Sequence, residues 1–165
     1  MNETYVECMI KRKPNLALKF LKTIFLMITI LLLLVGLVGG FVFLIAGAVF
    51  AALTYFTGLY TEIEYEYLYV DRQISIDKVL NRSRRKKAAT YEIERMEILA
   101  PINSYHLDSF KNRTAEVKDF SSGIVTKPDP RYVMFYDGTK KIIFEPNSEM
   151  VKAIAMIAPR KVHKE

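Results

Sequence analysis

No charged residue occurs between Lys22 and Glu62, and this uncharged stretch, residues 23–61, is strongly apolar. A helix that crosses a bilayer needs about 20 apolar residues, because the hydrocarbon core is about 30 Å thick. One helix over the whole stretch would be about 58 Å long and would leave nearly half of its apolar surface in water. The apolar core of a secretory signal peptide has only about 7–15 residues. The stretch therefore predicts two membrane-crossing helices and disfavours a cleaved signal peptide.

Three glycines near the middle of this stretch indicate where the chain reverses: Gly36, Gly39 and Gly40. Glycine is a poor helix former and tolerates positive φ, so a turn is least strained there. We expect a transmembrane hairpin over residues 16–60, with helices at 16–35 and 41–59.

Small residues on the second helix offer a surface for close helix packing. Gly47 precedes Ala51 by one helical turn, and Ala48 precedes Ala52 in the same way. Such pairs let two helix backbones approach closely. The pattern fits packing between the two helices of one chain and fits a contact between chains equally well.

The distribution of charge predicts the orientation in the membrane. Five cations lie before or in the first turns of the first helix, whereas the glycine-containing turn is uncharged: Lys11, Arg12, Lys13, Lys19 and Lys22. Cytoplasmic segments carry an excess of Lys and Arg, and tyrosines such as Tyr55 and Tyr60 favour the membrane interface. Cys8 is the single cysteine and excludes an internal disulfide. We expect an integral plasma-membrane protein with both termini in the cytoplasm.

Alternating patterns after residue 61 predict short strands. The sequence EIEYEYLYV places Tyr65, Tyr67 and Tyr69 on one face of a strand and acidic residues on the other. The sequence DRQ then leads into a second alternating segment, ISIDKVL. Asp137-Gly138 joins two further apolar runs, which is a strong hairpin signal.

The last segment predicts a helix that closes the domain. Asn147 or Ser148 can cap this helix, and its apolar stripe has helical spacing: Met150, Ile154 and Ile157. We expect residues 61–158 to form a cytoplasmic α+β domain that is mainly β. Its five to seven antiparallel strands would form a strongly bent sheet or partial barrel, with the helix across one open end.

The ends of the chain are assigned more coarsely. Residues 1–15 are expected to form an N-terminal cytoplasmic segment, and residues 159–165 a basic tail. The sequence TYVECMI in the first segment fits either of two structures equally well: a strand of the cytoplasmic sheet or a short interfacial helix.

Two stretches carry a resemblance to known proteins. They are the hairpin Y-x-Y-V-D-R-Q-I-S-I at Tyr67 to Ile76 and the hairpin and helix from Tyr132 to Ala158, both following a membrane hairpin. This layout resembles the bacterial membrane-flanked pleckstrin-homology-like (PH-like) domains. The opening NETYVECMIKRK also resembles a family of small two-helix membrane proteins of Gram-positive anaerobes, which has no assigned activity to carry over. The resemblance implies a PH-like fold, but the lipid site of eukaryotic relatives cannot be placed residue by residue.

No group of residues predicts catalysis, a metal site or a cofactor. Transition metals need several converging ligands, and Cys8, His106 and His163 are far apart in the sequence. Three glutamates lie at strand spacing: Glu62, Glu64 and Glu66. Paired carboxylates can do acid–base chemistry, but such a row is more typical of the solvated face of an edge strand. No Gly-rich phosphate loop precedes a helix. We expect a protein that is not an enzyme.

A dense basic cluster is the most informative polar feature: Arg82, Arg84, Arg85, Lys86 and Lys87. Each basic residue near an anionic leaflet contributes about 1 kcal/mol, so the cluster could hold the domain against the membrane; an inert solvated loop is the alternative. The aromatic interleaving typical of a nucleic-acid surface is absent, so we expect no nucleic acid partner.

These features predict a non-enzymatic membrane protein whose cytoplasmic PH-like module binds lipid headgroups or a protein partner. The alternative is a structural or accessory subunit of a larger membrane complex. That subunit would associate with itself or with another membrane protein through four small residues: Gly47, Ala48, Ala51 and Ala52.

Overall fold

The computed structural model describes residues 5–164 and divides them into two compact units. The helical unit consists of Lys13–Ile63 together with Leu80–Arg84. The sheet unit consists of residues 5–12, Glu64–Val79 and residues 85–164. Each unit is described separately below.

Two apolar helices form the helical unit. Helix α1 spans Leu16–Gly39, and its first turn is capped by Asn15, whose side chain accepts hydrogen bonds from two backbone N–H groups at 3.0 and 3.3 Å. Helix α2 spans Phe41–Leu59, the same residues as the second helix expected from the sequence. Both helices are long and apolar enough to cross a membrane.

The first helix is longer than predicted, because Gly36 is a packing position and not a turn residue. Gly36 is buried, and a Cβ atom there would lie 2.5 Å from the side chain of Leu44 on α2. Gly40 alone separates the helices, with a φ of 103° that favours glycine. Close packing therefore overrides the low helix propensity of Gly36 and Gly39.

The packing between α1 and α2 uses one of the four small residues predicted for it. Gly47 is buried, and a Cβ atom there would lie 3.0 Å from the side chain of Leu33 on α1. Phe25 and Phe50 also meet edge to face, with ring centroids 5.9 Å apart. The remaining small residues are exposed in the chain: Ala48, Ala51 and Ala52.

The first sheet has the strand order β1-β2-β3-β4. Its strands are β1 (Val6–Lys11), β2 (Ile63–Val70), β3 (Gln73–Leu80) and β4 (Arg84–Glu92). Strand β1 pairs antiparallel with β2, from Val6 opposite Tyr69 to Lys11 opposite Glu64. The sequence leaves TYVECMI open between a strand and a short helix, and the structure shows that Val6–Lys11 is a strand of this sheet. Residues 1–4 lie outside the described part.

Tight turns join β2 to β3 and β3 to β4. Asp71 and Arg72 join β2 to β3 with φ values of 48° and 61°, which is typical of the two-residue turns that match the twist of a hairpin. The turn after β3 has the same feature at Asn81 and Arg82, where φ is 45° and 54°.

The second sheet has the order β5-β7-β8-β6. Its strands are β5 (Met96–Pro101), β6 (Glu116–Asp119), β7 (Tyr132–Tyr136) and β8 (Lys140–Phe144). The predicted hairpin at Asp137-Gly138 joins β7 to β8. Strand β6 runs parallel to β8, unlike the antiparallel pattern predicted. A parallel pair needs a long connection, and here the connection contains a loop and the whole of β7.

Aromatic side chains fill the space between the two open sheets. Tyr67 meets Phe144 edge to face at 5.6 Å, and Tyr91 meets Tyr136 in the same way at 5.0 Å. The predicted alternation is confirmed, since the three tyrosines of one β2 face are buried: Tyr65, Tyr67 and Tyr69.

The final helix, α3, spans Ser148–Ile157, and the Asn147 side chain caps it by accepting a hydrogen bond from the Met150 N–H at 2.8 Å. Met150 and Ile154 are fully buried as predicted, whereas Ile157 is half exposed. The predicted basic tail is partly fixed, because a bridge joins Val162 to Leu99 of β5.

Candidate functional site

The basic cluster is part of a strand and not a polar connection. Arg82 lies in the turn between β3 and β4, and the other four residues begin β4. All five side chains are exposed. Strand β4 is the last strand of its sheet, and charged side chains on such an edge discourage pairing with another chain. Period-two alternation cannot be recognised in a run of cations, so the sequence does not predict a strand here.

The basic turn lies against the end of α2 within the helical unit. The Asn81 N–H donates a hydrogen bond to the Glu62 carbonyl oxygen at 2.8 Å. The Arg84 guanidinium donates to the Tyr55 hydroxyl at 3.4 Å and lies 6.0 Å from the centre of the Tyr55 ring. These contacts place the start of the basic cluster at the end of the helix pair opposite the Gly40 turn.

The same end of the helix pair carries further cations and tyrosines. The Lys19 ammonium lies 3.9 Å from the Glu62 carboxylate, and the Lys22 side chain runs past Gly58 of α2. Tyr60, which follows the last residue of α2, is half exposed. Long cations with apolar stems, together with tyrosines, are typical of segments at the boundary between lipid and water.

Arg85 has a structural partner in the sheet unit. Its guanidinium lies 3.0 Å from the carboxylate of Glu66, which is only 6% exposed. Burial raises the pKa of the Glu66 carboxyl, and a hydrogen bond with Glu7 raises it further, whereas Arg85 opposes the shift. Arg85 therefore offsets part of the cost of burying this acid.

The glutamate row does not lie on an edge strand, which corrects the interpretation made from the sequence. Strand β2 lies between β1 and β3. Glu64 is buried and lies 3.9 Å from Lys11, and Glu66 is buried beside Arg85, whereas Glu62 precedes the strand and is half exposed. The two buried carboxylates thus act as internal counter-ions. A single sequence does not reveal whether alternating glutamates lie on a central strand or on an edge strand of a sheet.

The two histidines, far apart in the sequence, are neighbours in the structure. The rings of His106 and His163 stack with centroids 3.7 Å apart, because the C-terminal tail folds back onto β5. Burial lowers the pKa of the His163 imidazole, and His106 lowers it further. Cys8 is elsewhere, with its thiol directed at the Glu145 carbonyl oxygen. Among residues 5–164, no three His, Cys, Asp or Glu side chains are grouped to hold a metal ion.

Comparison with known proteins assigns the family. The chain matches no curated protein and no solved structure. The model of a family described as bacterial PH-like domain (DUF6106) matches residues 2–164, which include the helix pair as well as the two sheets and the closing helix. This match confirms the fold and the resemblance inferred from the sequence. The chain therefore belongs to the family of bacterial PH-like domains.

Proposed function

We propose that this chain is an integral membrane protein whose PH-like unit is a non-enzymatic module that binds anionic lipid headgroups. In this proposal α1 and α2 cross the plasma membrane, and both termini lie in the cytoplasm. The turn after β3 and the first residues of β4 contact the headgroups.

The pairing of β1 with β2 supports a double crossing. Lys11 and Glu64 lie opposite each other on neighbouring strands, so the two ends of the intervening helix pair must be on the same side of any membrane that it enters. Two helices of suitable length between paired strands satisfy this condition. The five cations before and in the first turns of α1 favour the cytoplasm for that side.

A single set of contacts carries the headgroup proposal. The turn that begins the basic cluster is hydrogen-bonded through the Asn81 N–H to the carbonyl oxygen of Glu62, three residues after the end of α2, and Arg84 reaches Tyr55 within that helix. If α2 spans the bilayer, these cations lie at the depth of the headgroups. Each of them would then contribute about 1 kcal/mol of attraction to an anionic leaflet.

The test compares the lipid that surrounds the protein with the bulk lipid. The full chain is reconstituted in nanodiscs of phosphatidylcholine with phosphatidylglycerol, and the lipids retained after mild detergent extraction are measured by mass spectrometry. The wild type should retain an excess of phosphatidylglycerol. A variant with four alanines, at Arg82, Arg84, Lys86 and Lys87, should lose that excess. Arg85 is kept because it pairs with a buried carboxylate.

The matched control exchanges the same four residues between Arg and Lys, which preserves the charge. This variant should retain the excess of anionic lipid. If the alanine variant enriches phosphatidylglycerol as strongly as the wild type, the headgroup proposal is wrong.

A second candidate function is that of an accessory subunit in a membrane assembly. The supporting observation is that three small residues of α2 are exposed and are not covered by α1: Ala48, Ala51 and Ala52. An Ala51→Leu variant should then lower the oligomeric state in mild detergent, measured by light scattering. An unchanged mass would remove this candidate.

A further inference from the structure

One end of the sheet unit combines clustered cations with an exposed apolar loop. We call it the entry end: it is where β1 finishes at Lys11 and β2 begins, so that the chain leaves and re-enters the sheet there. Strand β3 finishes and β4 begins at the same end, because β2 and β3 form a tight hairpin and β4 follows a second one.

Three cations gather at the entry end. The Arg12 guanidinium donates a hydrogen bond to the Tyr65 hydroxyl at 2.8 Å and lies 5.9 Å from the centre of that ring. A two-residue turn fixes the register of the β2–β3 hairpin, so Lys78 lies opposite Tyr65. Burial lowers the pKa of the Lys78 ammonium, and the charges of Arg12 and Lys86 lower it further. Lys78 is therefore close enough to both other cations to be repelled by them.

No carboxylate neutralises this group within the described chain. Among residues 5–164, no acidic side chain lies within ion-pair distance of Arg12, Lys78 or Lys86. Two cations near the β2–β3 turn, at the opposite end of the unit, differ because they have carboxylate partners. Arg72 lies 3.6 Å from Glu94, and Arg95 pairs with Asp137. The described residues thus give Arg12, Lys78 and Lys86 no carboxylate partner, whereas Arg72 and Arg95 each have one.

An ordered loop follows β6 and begins beside these cations. The Phe120 ring meets the Tyr65 ring edge to face at 5.6 Å. The carboxylate of Asp119 accepts hydrogen bonds from the Ser121 N–H and hydroxyl at 2.8 and 2.6 Å. The Glu145 carboxylate accepts the corresponding pair from Ser122 at 2.8 and 2.7 Å.

The far side of the loop also contains a hydrogen-bonded turn. Asp129 accepts two hydrogen bonds from the Arg131 guanidinium, at 2.9 and 2.6 Å. Between these anchors lies the tip, residues 123–127, in which Ile124 is 47% exposed and Val125 is 69% exposed. Ile124 follows Phe120 by four residues, a path of at most about 14 Å. Ile124 thus lies within that distance of Phe120, whose ring contacts Tyr65 beside Arg12.

We propose that the tip at residues 123–127 inserts into the surface of the bilayer while Arg12, Lys78 and Lys86 bind anionic headgroups beside it. This inference rests on the proposed function and adds an apolar insertion element to it. A bilayer fits better than a protein partner, since Arg12 is separated from the first residue of α1 by only three residues. Apolar side chains backed by cations are the pattern of surfaces that bind at the headgroup boundary.

The experiment measures the depth of the tip in the full chain. Cys8 is replaced by Ser, and a nitroxide label is attached at Val125→Cys in nanodiscs of phosphatidylcholine with or without phosphatidylglycerol. Collision rates with oxygen and with a water-soluble nickel chelate give a depth parameter, which is positive in the apolar phase and negative in water. The control label is at Met156→Cys, which is 77% exposed on α3.

The inference expects a positive depth parameter at residue 125 and a negative one at residue 156. Negative values at both positions, in both kinds of nanodisc, would overturn it. A positive value at residue 125 in neutral as well as anionic nanodiscs supports insertion, even where the lipid-enrichment test of the proposed function fails. With phosphatidylglycerol present, Lys86→Glu should move the label at residue 125 toward water. An unchanged depth would overturn the role given to the cations.

Discussion

Tyr67 links the two sheets, and the cost of removing its hydroxyl can be worked from the structure. The side chain is fully buried, its hydroxyl donates to the Phe120 carbonyl oxygen at 2.7 Å, and it accepts from the Glu145 N–H at 3.4 Å. Tyr67→Phe keeps the ring contact with Phe144 but leaves a carbonyl and an N–H without this partner. An unsatisfied buried group costs about 1–3 kcal/mol, so we expect the sheet unit to lose about that much stability.

Hydrogen exchange of the full chain in mild detergent or nanodiscs measures this loss. Where exchange reports the opening equilibrium, 1–3 kcal/mol corresponds to a fall of roughly 5- to 150-fold in the protection of β2 and β8. Tyr105→Phe is the control, because Tyr105 is 70% exposed. Helices α1 and α2 of the helical unit should keep their protection in both variants. If Tyr67→Phe changes β2 no more than the control does, the hydroxyl does not join the sheets energetically and the reasoning is refuted.

Three further predictions concern other parts of the chain. Gly36→Leu should lower the thermal stability of the helix pair by about 1–3 kcal/mol, because the new side chain overlaps α2, whereas the exposed Ala48→Leu should not; circular dichroism in one detergent compares them, and equal melting would contradict the packing. Arg72→Gly should stabilise the sheet unit by about 1 kcal/mol, because φ is 61° there and the exposed pair with Glu94 adds little; lower protection of β2 would refute this. The lowered pKa of His163 means that the unfolded state binds the proton more tightly, so the C-terminal tail should lose protection as pH falls through about 6.5. His163→Asn should abolish that dependence, and its persistence would show that another group is responsible.

Local patterns were sufficient for the elements whose signal lies in adjacent residues. The length of the uncharged stretch and the three glycines near its middle predict two helices, and α2 spans the residues expected. Alternation predicted β2 and the burial of its three tyrosines, and Asp137-Gly138 predicted the last hairpin. In each case hydrophobic burial or a turn with positive φ acts within a few residues, so no distant partner is needed to decide the conformation.

Features that depend on distant partners were missed or left open. Gly36 was predicted as a turn residue because its contact with Leu44 requires the other helix. The first glutamates of β2 were interpreted as an edge row because nothing near them reveals β1, which pairs with β2 across the whole helix pair. The stacking of His106 on His163 was equally invisible, because the tail reaches it only by bridging to β5.

The sequence alone determined that this chain contains two helices suited to a membrane, a set of alternating strands and a closing helix. It also provided the basic cluster as a candidate site. Only the tertiary structure decided that the N-terminal segment pairs with β2 and that the basic turn meets Glu62 and Tyr55. The physical reason is range: periodicity and turn geometry act between neighbours in the chain, whereas strand pairing and charge clustering join residues that only the folded chain brings together.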